Sequence, residues 1–302
     1  MKTQKLILQA LLLLVATIGL ATETKQSSPI VQEQTKTTQS VQKGVDSASK
    51  TKADDKRSHV YKEALEAIDE TNKAIIALSK ENPDTKAALS ALEKSTGKIE
   101  IILAREPKLA FAPMDVSVQT FDFLSNVDTI KAMLHDVEEF IDDGEIQQAR
   151  AIMTNLVSEL NINTTSIPLV SYPLATTQAA DLIEEGKIDE AIIALRTQLS
   201  TLVVSKEIIP LPILRTELLL ASAEDLIAKK KRSDDEQNTL MDLLNEARNQ
   251  LLKGKLLGYL NRDEYKSINK EIDNLADKAA LNKSGKGKGW FDSIKEKMKN
   301  LF

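Results

Sequence analysis

Cysteine is absent from this 302-residue chain, which excludes disulfides, iron–sulfur clusters, thiolate zinc sites and a cysteine nucleophile together. Histidine is nearly absent too. His59 and His135 are the only two, too few for a multi-histidine metal site within one chain. Net positive charge is missing: 45 acidic side chains face 40 basic ones, a formal −5, and this balance argues against nucleic acid as a partner. No G-x-G-x-x-G or G-x-x-x-x-G-K-[ST] phosphate cradle and no G-x-S-x-G nucleophile elbow occurs. Aromatics are scarce at 4%, with 10 Gly and 8 Pro against 42% hydrophobic residues. The abundance of Leu, Ile, Ala, Lys and Glu is helix-forming composition, enough for a sizeable core. No feature of composition names a reaction.

The first 21 residues have the layout of a secretory signal. Lys2 and Lys5 form a charged start, residues 6–20 are apolar apart from Gln9 and Thr17, and Gly19-Leu20-Ala21 places small residues before a cleavage point after Ala21. The apolar run of 15 residues is short of the ~20 that a membrane-spanning helix needs, and no basic stop-transfer cluster follows it. The expectation is export with cleavage rather than an anchor. Without Lys2 and Lys5 the formal charge moves from −5 to −7. Residues 22–56 are rich in Thr, Gln, Ser and Lys with hardly a large apolar side chain. Such a segment cannot offset its conformational entropy, so it reads as a disordered tether.

From residue 57 to 281 the pattern is helical. Val60, Ala64, Ala67, Ile68, Ile75 and Leu78 fall near one face of a helix that stops at Asn82-Pro83. Asp84 then caps a second helix that ends before Pro107. The same grammar predicts helices over 126–143 and 145–160 around Gly144, and over 175–185 and 187–202 around Gly186. Further helices are expected over 213–230, 234–253 and 262–281. Segments 109–118, 161–172 and 202–211 are rich in β-branched residues and proline, and residues 162–167 and 203–209 can pair as a small sheet.

An internal repeat underlies this grammar. Sliding residues 142–169 onto 184–211 gives eight identities in 28 ungapped positions, among them Gly144/Gly186, Ala149/Ala191, Ser158/Ser200 and Ile167-Pro168-Leu169/Ile209-Pro210-Leu211. The Pro83–Pro107 separation of 24 hints at a fainter earlier copy. The predicted fold class is mostly α: repeated antiparallel helical hairpins, with short extended Pro-containing segments forming a small β-sheet.

Residues 85–116, 142–174 and 184–227, together with 243–251 and Leu257-Gly258-Tyr259, resemble the bacterial YfdX family. The likeness extends over about residues 61–276, and its two copies ending in Ile-Pro-Leu are its most distinctive motif. The resemblance implies an exported, mostly helical periplasmic protein of poorly defined activity, linked in some bacteria to acid stress. It supplies no catalytic residues to carry over.

Candidate chemistry is thin. His135 and Glu139, four apart on one helix, offer two metal ligands where at least a third is needed. Asp136, Glu138, Glu139, Asp142, Asp143 and Glu145 crowd a helix break, but Ile141 interrupts the acid alternation of an EF-hand, so a solvated acidic face is expected. No catalytic, cofactor-binding or metal residue is assigned. The expectation is a non-enzyme that acts through protein contacts or as a homo-oligomer, in acid or envelope stress. One alternative is an enzyme with an unrecognised site; another is a membrane-surface scaffold.

The last alternative rests on the tail. Residues 282–289 form a Gly/Lys linker, followed by WFDSIKEKMKNLF over 290–302. At helical spacing Trp290, Phe291, Ile294, Met298 and Leu301 share a face with lysines off it. That face suits either an anionic membrane surface or docking onto the folded body.

Overall fold

The computed structural model describes residues 36–281, 289–299 and 301. Ala21 and the signal-like segment lie outside the described residues, as do 22–35 and the linker over 282–288.

The fold is mostly helical around one three-stranded sheet. Three successive units each supply two antiparallel helices and then a strand. The first comprises α2 (Lys62–Leu78), α3 (Thr85–Arg105) and β1 (Phe111–Phe121). The second comprises α4 (Val127–Asp142), α5 (Ile146–Met153) and β2 (Glu159–Pro168). The third comprises α6 (Ser171–Glu184), α7 (Ile188–Ser200) and β3 (Val203–Pro210). Helices α8 (Leu211–Ile227), α9 (Asp234–Leu256), α10 (Arg262–Leu281) and α11 (Asp292–Lys299) complete the chain.

Local chemistry sets the ends of these elements. Asp84 and Asn126 accept hydrogen bonds from the backbone N–H groups of Ala87 and Thr129, and Ser233 forms a reciprocal capping box with Glu236. Gly144 and Gly186 sit at φ 78° and 76° after α4 and α6, a left-handed conformation that a side chain makes costly. Two boundaries depart from the periodicity. Residues 154–160 leave the expected helix: α5 ends at Met153, the chain turns to bring Leu156 inward, and Glu159 and Leu160 already belong to β2. Residues 171–174 join α6, because a proline in the first helical turn needs no N–H partner.

The strand order is β1-β2-β3, antiparallel throughout, with Ala112 opposite Ile167 and Leu160 opposite Ile209. The register shifts between Pro113 and Asp115, so the proline of edge strand β1 falls at a bulge. Pro168 and Pro210 close their strands, whereas Pro107 lies between α3 and β1. The proline spacing of the first unit is therefore not structurally equivalent to that of the other two.

The expected tether is a helix from Lys36. α1 (Lys36–Ser58) buries Val45 and Ala53, each 3% exposed. Val45 packs with Val116, Leu160, Ile162, Ile209 and Leu214 on one face of the sheet. Val41, Val45 and Ala48 recur at helical spacing, a stripe too narrow to register against the surrounding Lys, Thr and Ser. Lys56 pairs with Glu207 of β3 at 2.9 Å.

Elsewhere, α2, α3, β1 and β2 share a core of Ile68, Ile99, Ile102, Ile167 and Tyr172. Hairpins α2/α3 and α6/α7 meet through Ala74, Leu78, Ala91, Leu92, Ala179, Ile183, Ala191 and Leu195. The small side chains let the helices approach closely. α8, α9 and α10 form the largest cluster, which includes Phe291, Ile294 and Met298.

Candidate functional site

The five tail residues expected to share a face do so, and the face lies on the body. Phe291, Ile294 and Met298 are 0%, 1% and 2% exposed among side chains of α8, α9 and α10, with Trp290 and Leu301 packed at the margin. Two of the tail's lysines are paired with carboxylates of the body. Lys297 donates to Glu271 at 2.9 Å, Lys295 pairs with Glu224, and the Lys278 ammonium stands 5.7 Å from the Trp290 ring centroid. The Lys297 hydrogen bond is the main reason that the Glu271 carboxyl titrates below its usual range. α11 is an eight-residue helix whose stability comes from tertiary packing, since so short a segment is marginal in water.

A polar cluster lies where the sheet meets the C-terminal helices. Arg215 of α8 grips Asp122, just past β1, with both guanidinium ends; the Nη1–Oδ1 distance is 3.1 Å, and the side chains are 11% and 18% exposed. Ser158 Oγ donates to the same carboxylate at 2.8 Å. The Ser158 backbone N–H donates to Tyr259 Oη at 3.0 Å, and that hydroxyl donates to Glu159 at 3.1 Å. Lys206 of β3 reaches Glu159, and Gln42 of α1 accepts from Arg215 at 3.4 Å. Burial first, and then the Glu159 carboxylate, push the Tyr259 hydroxyl up to about 12. It is a hydrogen-bond donor and not a base at neutral pH. The Asp122 carboxylate is engaged on both oxygens. The cluster is built to hold strands, α1, α8 and the α9–α10 turn together.

These residues carried almost no sequence signal. Tyr259 entered only through the Leu257-Gly258-Tyr259 motif and Ser158 only as a repeat identity, while Asp122 and Arg215 are 93 positions apart. Ser200, the repeat counterpart of Ser158, instead donates to the Thr197 carbonyl. A second network, equally silent in sequence, sits between hairpins. Thr71 Oγ1 lies 2.7 Å from Tyr172 Oη and 3.0 Å from Ser95 Oγ, and Gln198 donates to Thr176 and to the Tyr172 carbonyl.

His135 and Glu139 stand 3.5 Å apart with both side chains exposed. Among the described residues no group of three His, Asp or Glu is placed to hold a metal ion. The acidic residues from Asp136 to Glu145 are exposed. Among the described residues, no helix is long and apolar enough to cross a membrane.

Three helix–helix–strand units, a shared sheet and a polar clasp define a repeat protein of helical hairpins. Residues 67–208 match the family model described as YfdX protein, so over this stretch the chain is similar to the YfdX family. The match closes at the end of the third unit, short of the span to about residue 276 expected from the motifs. A solved structure of Salmonella Typhi YfdX aligns over 50% of this chain and 93% of its own, with 15% identity and a TM-score of 0.35. No curated protein matches the chain.

Proposed function

We infer that this chain is an exported, non-enzymatic helical protein of the periplasm that works through protein contacts and self-association in acid or envelope stress. The observation that carries this reading is the set of large apolar side chains left exposed on regular helical faces. Ile76 of α2, Ile193 of α7 and Ile146 and Met153 of α5 are 65%, 63%, 53% and 45% exposed. Large apolar side chains exposed on helical faces favour contact with other proteins. Two measurements on protein taken from the native envelope test the reading: sedimentation mass over a range of concentrations, and mass-spectrometric identification of proteins retained at neutral and acid pH. A mass above that of one chain, or a defined retained partner, supports it. A single-chain mass with nothing retained above a blank matrix overturns it.

A second reading, a membrane-surface scaffold held by the tail, requires α11 to leave the body, where Phe291, Ile294 and Met298 are buried, and to turn its amphipathic pattern to the lipid. Lys295 and Lys299 are exposed while Phe291, Ile294 and Met298 form its apolar side. Flotation with anionic liposomes should then recover the whole chain and lose a version ending at Leu281. Equal recovery of both, or of neither, removes it.

A further inference from the structure

A cleft of about 650 Å³ opens where α7 runs past the turn between α2 and α3, a volume in the range of small-ligand sites. Its floor is the margin of the core between the two hairpins: Leu78 is buried, and Ile188 and Ile192 pack half-buried against the same cluster. Pro83 lies in the opposite wall. Ile193 lines the cleft and is 63% exposed. Asp189, Ile192, Ile193 and Arg196 all line it, at positions i, i+3, i+4 and i+7 of one helix, so they form a single stripe. The stripe reads acid, two apolar side chains, base. At the lag of 42 residues the second unit has Gln147, Arg150, Ala151 and Thr154 there, so closing a hairpin does not require it.

The two ends of the stripe are unmatched within the chain. Among the described residues, neither the Asp189 carboxylate nor the Arg196 guanidinium has a hydrogen-bond or ion-pair partner. Lys80, the other charged side chain lining the cleft, stands 3.5 Å from Asp84. The lining thus presents one unmatched negative group and one unmatched positive group. A ligand of a single charge is attracted at one end and repelled at the other, whereas a zwitterion satisfies both. Asp189 and Glu190 in the first turn outweigh the half-charge of the α7 N-terminus, so an ammonium is accepted there. The guanidinium can take a carboxylate on two parallel N–H bonds. Seven helical residues set the two positions about 10.5 Å apart along the axis. Three residues of extended chain span about 10 Å, and two only about 7 Å. Ile192 and Ile193 lie between the charges, where the apolar side chains of such a ligand come to rest.

We propose that this cleft binds short linear peptides with free ends and apolar side chains, tripeptides best, with the ammonium on Asp189 and the carboxylate on Arg196. The site does not depend on self-association. The test is calorimetric titration of the protein as the cell produces it with leucyl-alanyl-leucine and with its N-acetylated and C-amidated forms. The free peptide should bind. Acetylation should weaken binding to the unaltered chain roughly three- to tenfold, the effect of one partly exposed charge pair, and should cost nothing further in Asp189→Asn. Amidation should stand in the same relation to Arg196→Gln. The crossed combinations, acetylation with Arg196→Gln and amidation with Asp189→Asn, should add. Both positions are exposed, and matching unfolding midpoints will show that the fold is retained. No saturable binding of the free peptide overturns the site. So do losses on acetylation and amidation that are the same in the variants as in the unaltered chain. Decanoate bound as tightly as the peptide overturns it too, since an apolar carboxylate without an amine meets Arg196 alone.

Discussion

Hairpins α4/α5 and α6/α7 share a repeat and a turn, yet one is exposed along most of its length and the other is walled in. Gly144 and Gly186 adopt nearly the same φ, and Ala149 and Ala191 are both fully buried. The difference lies outside the hairpins. α6/α7 has α2/α3 against it, while α4 leans on α9. The polar residues that key the covered pair, Tyr172, Thr176 and Gln198, correspond at the same lag to Ile130, Leu134 and Leu156. A repeat therefore specifies how a hairpin closes on itself, and separate substitutions decide which neighbour it accepts.

The comparison breaks most visibly at its matched apolar pair. Leu195→Ala should cost about 3–4 kcal/mol, the usual range for emptying a fully buried leucine site. Met153→Ala should cost less than about 0.5 kcal/mol in the single chain, as for other exposed positions. Urea unfolding of both variants, read by helical circular dichroism, should show the sixfold or greater disparity. Similar losses would mean that α5 is covered within the chain.

The turns should behave alike where the faces do not. Gly144→Ala and Gly186→Ala each force a side chain into the left-handed region, at about 1–2 kcal/mol per residue. No heavy atom stands within 4 Å of a Cβ added at either glycine, so the cost is conformational. Thermal midpoints that fall equally for both sharpen the comparison; a loss at Gly186 alone would tie the turn to the covered bundle. Tyr172→Phe, which removes one hydroxyl from the Thr71–Ser95 network, should cost about 1 kcal/mol. Thr71 and Ser95 each keep the Ala67 carbonyl as an acceptor, which limits the loss. The tail gives the smallest effect. The Glu271 carboxyl is held below its ordinary value by Lys297, so the pair stabilises above that ordinary value, about 4.3, and its contribution fades as pH falls through the depressed one. Trp290 is the only tryptophan, and its emission should stay constant from neutral to about pH 4.3 and shift red below it, a change that Glu271→Gln should bring to neutral pH.

Much of the helical layout was legible because capping and periodicity are local. Asp84, Gly144 and Gly186 mark boundaries that the structure keeps within a few residues. The pairing of 162–167 with 203–209 was legible from β-branched runs that end in proline. α1 was not: Val41, Val45 and Ala48 are few among polar neighbours, and their helix is held by the sheet and α8. The Asp122–Arg215–Ser158–Tyr259 clasp was silent because its members are single polar residues with no shared spacing.

By itself the sequence determined the hairpins, their turns, the strand segments and the apolar side of the tail, because each depends on residues within a few positions of one another. Only the tertiary structure decided that α2/α3 covers α6/α7, that α4/α5 keeps an open face, and that the tail's apolar side rests on α8, α9 and α10. Burial is non-directional and an apolar stripe fits many surfaces. The choice among them belongs to whole-chain packing and to long-range polar contacts such as Arg215 on Asp122 and Lys297 on Glu271.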